Sequence, residues 1–280
     1  MSSIQSGPFT IIKMRHALAD SGANKRADQP WNLNYWLNEI LISDLIGREF
    51  KLEFTQKIFC LECGRKTNKS FNQGYCFPCF RKLACCDLCI LKPQLCHFSK
   101  GTCREPDWAQ DNCLQPHFVY LANSSNLKVG ITRERKLLER WGDQGAIAGI
   151  PFAKVPERKI AGLLEVLVAK GLSDKTDWRA LITKAGDKID FLPHLEAIRQ
   201  LVSGTEFEQY LLSPKECQER YQEFLYPVRN YLAKAKLHDL EKEPKSTATL
   251  EGVRGQYLIF SDRAINMRKY QGYEISLEIS

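Results

Sequence analysis

The sequence predicts an α+β protein in which a cysteine-rich, metal-stapled region precedes a small antiparallel sheet with helices. Three observations carry that expectation. Ten of the 11 cysteines fall between Cys60 and Cys113. The stretch HFVYLANSSNLKVGIT, from His117, sets two short apolar runs around the turn-forming NSSN, a hairpin pattern. Downstream, stretches of helical period give way to a tail of β-rich composition, with no internal repeat of convincing length.

Four segments follow from this reading. Residues 1–58 form an N-terminal β-containing segment: the first 30 residues are polar with scattered Gly, Pro and Asp, while Leu52, Phe54 and Ile58 alternate with polar neighbours as in a half-buried strand. Residues 59–116 are rich in Gly, Pro, Asn and Cys without a sustained period, and a core that small needs staples. Residues 117–184 hold the hairpin and two helices, with Leu137, Leu138 and Trp141 on the first and Ile160, Leu163, Leu164, Leu167 and Val168 on the second. In residues 185–280, helices are expected around 193–202 and 214–240, the latter interrupted at Pro227, and PKSTAT reads as a linker. The tail GQYLIFSDRAINMRKYQGYEISLEI is expected to turn near SDR and to pair with the strands before Cys60, because an isolated hairpin is marginal.

No basic stretch followed by an apolar run opens the chain, and no 18 consecutive apolar residues occur, so the sequence reads as a cytoplasmic protein without membrane contact. In that compartment clustered cysteines are metal ligands rather than disulfides. Cys60-x2-Cys63 and Cys76-x2-Cys79, twelve residues apart, match a two-knuckle zinc site, and four protein ligands leave no position for water. Such a zinc is structural. Cys86, Cys89, Cys96 and Cys103 are the expected ligands of a second zinc, with His97, Cys113 and His117 as open alternatives and an iron–sulfur cluster as the rival cofactor. The formal charge is +7, and two tetrathiolate zinc sites bring it to about +3, so attraction to a polyanion has to come from local patches.

One such patch surrounds the first knuckle. Arg65, Lys66 and Lys69 interleave with Phe71, Tyr75 and Phe77, a pairing of phosphate-neutralising and base-stacking groups that suits single-stranded or irregular nucleic acid, DNA or RNA. Lys128 and Arg133 extend the set of candidate contacts. The plainer alternative is that the rings are the module's own core and the charges are merely solvated.

At VYLANSSNLKVGITRERKLLERW the chain resembles the GIY-YIG endonuclease superfamily, in which a hairpin is followed by a helix with an arginine and a helix with a glutamate. The resemblance covers roughly residues 117–180, with Tyr120, Gly130, Arg140 and Glu165 at the matching positions; Phe118 replaces the pattern's first glycine and Lys128 its second tyrosine. The segments CGRKTNKSFNQGYCFPCF, CHF, GTCREP and KVGITR are similar to an uncharacterised bacterial cysteine-rich family. The superfamily resemblance implies a GIY-YIG-like fold and phosphodiester hydrolysis, a reaction that needs a positioned water, a cation over the developing negative charge and a carboxylate-held metal. Arg140 supplies a planar fork for phosphate oxygens, Tyr120 can orient or deprotonate the water, and Glu165 can hold Mg²⁺ or Mn²⁺. The expectation is a zinc-stabilised nucleic-acid-binding protein acting as a metal-dependent nuclease. Its rival is a non-catalytic nucleic-acid-binding or protein-interaction module with a degenerate nuclease-like domain.

Overall fold

A computed structural model describes residues 4–19, 29–170 and 177–280. Along the chain run β1 (Ile4–Thr10), β2 (Arg15–Leu18), β3 (Trp31–Leu37), β4 (Ile40–Leu41), β5 (Glu49–Phe59), β6 (Lys66–Thr67) and α1 (Phe77–Lys82). Next come α2 (Leu88–Leu91), α3 (Pro106–Asn112), β7 (His117–Asn123), β8 (Leu127–Arg133), α4 (Leu137–Asp143), β9 (Ala148–Val155) and α5 (Arg158–Ala169). The remainder is α6 (Trp178–Thr183), α7 (Leu192–Val202), α8 (Pro214–Glu219), β10 (Gln222–Leu225), β11 (Lys245–Arg254), β12 (Tyr257–Phe260), β13 (Ala264–Asn266) and β14 (Tyr273–Ile279). No helix among the described residues is long and apolar enough to cross a membrane.

These elements gather into two compact units. The first contains residues 1–81, 178–185 and 225–280, the second residues 82–177 and 186–224. The cysteine-rich region is therefore divided: Cys60–Cys79 belongs to the first unit and Cys85–Cys113 to the second.

In the first unit an antiparallel sheet has the order β1-β14-β5-β11-β12-β13, with β6 added beside β5. The tail does pair with the strand before Cys60: Leu277 lies opposite Leu52, and Ile275 opposite Phe54. Leu52, Phe54 and Ile58 are buried, as their alternation predicts, and the two extra residues of β5 around Gln56 (φ 63°) form a bulge before Ile58 pairs with Tyr273. PKSTAT is not a linker. Lys245 to Thr249 pair residue by residue with Glu53 to Glu49, so Ser, Thr and Ala form strand there because a ready partner edge satisfies their backbone. The buried Arg254 donates to the carbonyls of Lys184 (2.7 Å) and Ala185 (2.9 Å), just beyond α6, satisfying carbonyls at that helix's end.

In the second unit the antiparallel order is β8-β7-β9-β10, with α5 packed on β7, β8 and β9. Every residue of β7 is buried, which explains its unbroken apolar run. The helix expected over 214–240 is a correction. It stops at Glu219, Gln222–Leu225 is strand, and residues 226–244 contain no helix. Aromatic Tyr221 and Phe224 favour the sheet, where the Phe224 amide bonds the Ile147 carbonyl (2.8 Å), and Pro227 then prevents any helix from resuming. On α5 the buried face is Ala161, Gly162, Leu164 and Val168, whereas Leu163 is exposed.

Candidate functional site

The knuckle begins where β5 ends. The Phe59 amide bonds the Gly272 carbonyl (2.7 Å) and the Ser70 hydroxyl bonds the Gln271 carbonyl (3.0 Å), so the C-terminal tail holds the knuckle's base. Two tight turns then bring the cysteine pairs together: Gly64 N–H returns to the Cys60 carbonyl (2.9 Å), and a small hairpin pairs Phe71 with Tyr75 ahead of Cys76 and Cys79. The sulfurs of Cys60, Cys63, Cys76 and Cys79 all lie within 4.8 Å of one another. Cys63 Sγ and Cys76 Sγ are 3.8 Å apart, and a tetrahedron with bonds of about 2.3 Å has edges of about 3.8 Å, so the set is compatible with zinc. The Arg65 backbone N–H, the neighbouring thiols and the Arg65 guanidinium hold the Cys63 thiol at about 6, while burial and the same neighbouring thiols push the Cys79 thiol up, so a metal has to displace the proton that remains on the set. The side-chain part of the Arg65 effect on Cys63 is an Nε–H···Sγ contact of 3.1 Å.

A small cavity of about 20 Å³ lies among the second group of cysteines. Cys89, Cys96, Cys103 and Cys113 line it, together with Asp87 and His97. Cys86 does not line it; its sulfur is buried 3.9 Å from that of Cys85. Among the described residues of this region only Asp87, Cys89 and His97 lie close enough to share an ion; Asp87 also accepts from the Cys89 amide (3.2 Å) and pairs with Arg104 (2.7 Å). His97 spends Nδ1 on Thr102 Oγ1 (2.8 Å) and turns Nε2 to Asp87 (3.6 Å). His117 is buried, with Nδ1 2.7 Å from the Gln115 carbonyl, and burial pushes its imidazole down to about 4.

The hairpin residues form a separate polar cluster. Tyr120 stands opposite Gly130 in the β7–β8 pair, and a Cβ on Gly130 would lie 2.6 Å from the tyrosine oxygen, so only glycine lets the ring lie across β8. Trp141 meets the ring edge-on at 5.7 Å. Arg140 reaches in from α4. With the Gln144 amide oxygen facing the guanidinium, it accepts from Arg140 Nε (3.1 Å) and Nη2 (3.2 Å), while the amide nitrogen donates to the Tyr120 hydroxyl (3.2 Å). Burial raises the Tyr120 phenol above its ordinary range. Burial alone would weaken the Arg140 cation, but Tyr120, Asp143 and Glu165 together hold its pKa above the usual arginine value. Glu165, half-buried on α5, acts electrostatically on Tyr120, Arg140 and Arg158.

Of the residues singled out in the sequence, Tyr120 and Arg140 thus meet through Gln144, and Glu165 acts on both electrostatically. The sequence also offers Asp143, Gln144, Asp174, Lys175 and Trp178, in RWGDQGA and SDKTDWR, as lining of the same pocket; Gln144 does belong there, four residues beyond Arg140 and at the helix end, while Asp174 and Lys175 lie outside the described residues. Arg158 had no local signal, because only the fold brings it near Glu165. Arg133, Lys136 and Arg140, whose spacing in sequence reads as a basic stripe, do not form one surface: Arg133 donates to Asn112, Lys136 pairs with Glu139, and Arg140 turns inward. Around the knuckle, Phe71 packs against Phe77 (5.4 Å) and Phe80 (5.7 Å), forming the module's own small core. Lys66 and Lys69 are exposed, Phe77 is 51% exposed with Arg81 5.9 Å from its ring centre, and Lys128 is half-buried.

Comparison with curated proteins and with solved structures found no match. A family profile matches residues 47–275, spanning both cysteine groups and the polar cluster. The chain belongs to the family described as "Protein of unknown function (DUF2797)".

Proposed function

We propose that the protein binds nucleic acid and hydrolyses a phosphodiester at the Tyr120–Arg140–Glu165 cluster, with zinc in the knuckle as a structural staple. The observation that carries this reading is the convergence of a tyrosine from β7, an arginine from α4 and a glutamate from α5, the set the GIY-YIG resemblance implies. Arg140 is a permanent cation with a planar fork, suited to neutralise the charge that builds on phosphate oxygens as water attacks. Tyr120, its phenol raised by burial, stays protonated at neutral pH and so serves as a hydrogen-bonding group that fixes Arg140 through Gln144, not as a phenolate base. Glu165 is the carboxylate placed to hold Mg²⁺ or Mn²⁺, and a single carboxylate fits an ion that keeps most of its water shell. Such an ion supplies Lewis-acid stabilisation of the phosphate when bound. Lys66, Lys69 and Arg81 beside the exposed Phe77 give the knuckle a surface for backbone contact and base stacking.

A second reading, a binding module without catalysis, is favoured by one observation: Tyr120 is 0% exposed and its hydroxyl is already engaged by Gln144. Labelled single- and double-stranded DNA and RNA, incubated with zinc-loaded full-length protein with and without Mg²⁺, separate the two. Mg²⁺-dependent cutting of one substrate class supports the phosphodiesterase. Binding that weakens steeply with salt and no cutting supports the module. Negligible binding at low salt removes nucleic acid from the account.

A further inference from the structure

Beside the second group of cysteines lies a set of donors that cysteine spacing does not reveal. We propose that Asp87, Cys89 and His97 hold a divalent metal ion, zinc by the mix of its ligands, with the fourth position left to water. The proposal is independent of the phosphodiesterase reading.

One ligand atom from each of Asp87, Cys89 and His97 lies within 4.8 Å of the other two, close enough for a single ion to touch all three. Local structure makes the set. Asp87 caps α2 and accepts from the Cys89 amide (3.2 Å), so carboxylate and thiol sit two residues apart on one capped turn. His97 returns to them after the turn Pro93–Leu95 and immediately before the next, Phe98–Lys100.

The histidine is oriented for coordination. The Thr102 hydroxyl gives its one proton to the His97 carbonyl (3.3 Å), so its oxygen accepts from His97 Nδ1–H (2.8 Å). That bond fixes the tautomer in which Nε2 carries a lone pair, the form that binds metals. Nε2 faces Asp87 Oδ2 at 3.6 Å. A lone pair and a carboxylate oxygen repel each other at that range unless a cation stands between them. A metal ion shared with the Cys89 sulfur is such a cation. The alternative is a proton on Nε2, and a chain that holds this proton binds no metal there. Arg104 Nε bonds Asp87 Oδ2 (2.7 Å), which leaves that oxygen a second lone pair and steadies the carboxylate, as outer hydrogen bonds do for metal ligands.

Charge and ligand type select the ion. One thiolate and one carboxylate neutralise a dication, so the site adds no net charge where Asp87 is only 13% and His97 28% exposed. Sulfur, imidazole nitrogen and carboxylate oxygen are all zinc ligands, whereas Mg²⁺ takes oxygen. Three protein ligands leave a tetrahedral ion one position, as in zinc sites that exchange a ligand and unlike the closed knuckle. The cavity of about 20 Å³ that Asp87, Cys89 and His97 line has room for one water. Cys96, Cys103 and Cys113 line it too, but none of them joins the set of mutually close donors.

The test is metal content by elemental mass spectrometry of the full-length chain, purified without a metal-affinity tag. The expected result is two zinc ions per chain, one of them the knuckle's, falling to one in His97→Ala and staying at two in Cys86→Ser and Cys103→Ser. One zinc in the unsubstituted chain, or two retained in His97→Ala, overturns the proposal; loss in Cys103→Ser overturns the ligand set. Should His97→Ala fail to fold, Co²⁺ added to the metal-stripped unsubstituted chain decides. Visible bands that grow to two equivalents, the second shifting when azide is added, support an open second site. Saturation at one equivalent, or two sites that both ignore azide, contradicts it.

Discussion

The two cysteine groups differ in how closely the fold gathers their sulfurs. In the knuckle, each Cys-x2-Cys pair bends locally, and the four sulfurs meet through two turns and a small hairpin within 20 residues of chain. In the second group, Cys89, Cys96, Cys103 and Cys113 are separated by turns and a helix, and they line one cavity without forming a set as tight as the knuckle's four sulfurs. The first depends on local geometry; the second depends on the fold around it. A substitution in the knuckle should therefore be felt locally and completely, while the second group should respond to distant packing changes.

The largest expected effect is in the knuckle itself. Cys76→Ser should lose one metal equivalent and release residues 60–79 to rapid amide exchange, because binding free energies on the order of 10 kcal/mol are folding energy in such modules. Retained protection there, measured by hydrogen exchange, would show that the knuckle folds without metal.

Acid should distinguish the two units next. His117 belongs to the second unit, and burial lowers its imidazole to about 4 from 6.5. The unfolded chain takes up that proton below pH 6.5 and the folded chain only near pH 4, so stability is full above 6.5 and falls as pH drops to about 4. The loss approaches roughly 3 kcal/mol. His117→Phe should flatten that slope in urea melts at pH 7 and pH 5; an unchanged slope would mean another group titrates.

Gly162→Ala probes the dependence of the second group on its surroundings. The new methyl meets Pro93 and should cost about 1–3 kcal/mol by overpacking, read in urea melts, while leaving the metal content of the knuckle unchanged. The smallest effect is Arg65→Ala, which removes the Nε–H···Sγ contact to Cys63 and should lower knuckle metal affinity about tenfold, read by competition with a chelator.

How much was legible follows the same division. The knuckle could be read from spacing because its ligands are neighbours in sequence, and the alternation of Leu52, Phe54 and Ile58 is a local property of one strand. Tyr120, Arg140 and Glu165 were reachable through a short pattern, and Gly130 shows why the pattern has a glycine: the tyrosine ring lies across it. Cys113 could not be preferred to Cys86, because nothing near either residue records which side of the chain faces the cavity. The small, apolar neighbours of Glu165 on its helix (Ala161, Gly162, Val168 and Ala169) suggest in sequence that it faces a cavity, a partner or a metal; for Gly162 the reason for smallness is the close approach of Pro93. PKSTAT reads as linker because its Ser and Thr become strand, over Lys245–Thr249, only when β5 offers an edge.

The central claim is that the convergent cluster in the second unit does chemistry on a phosphodiester. The most direct measurement compares Mg²⁺-dependent cleavage of labelled nucleic acid by the zinc-loaded full chain with that of Arg140→Ala and Glu165→Gln, each checked for zinc content, melting and nucleic-acid affinity. The account predicts cleavage by the unsubstituted chain and a loss of at least about a hundredfold in both variants, with folding and zinc retained. Cleavage that survives both substitutions, or no cleavage of any substrate class by protein that binds it, would contradict the claim.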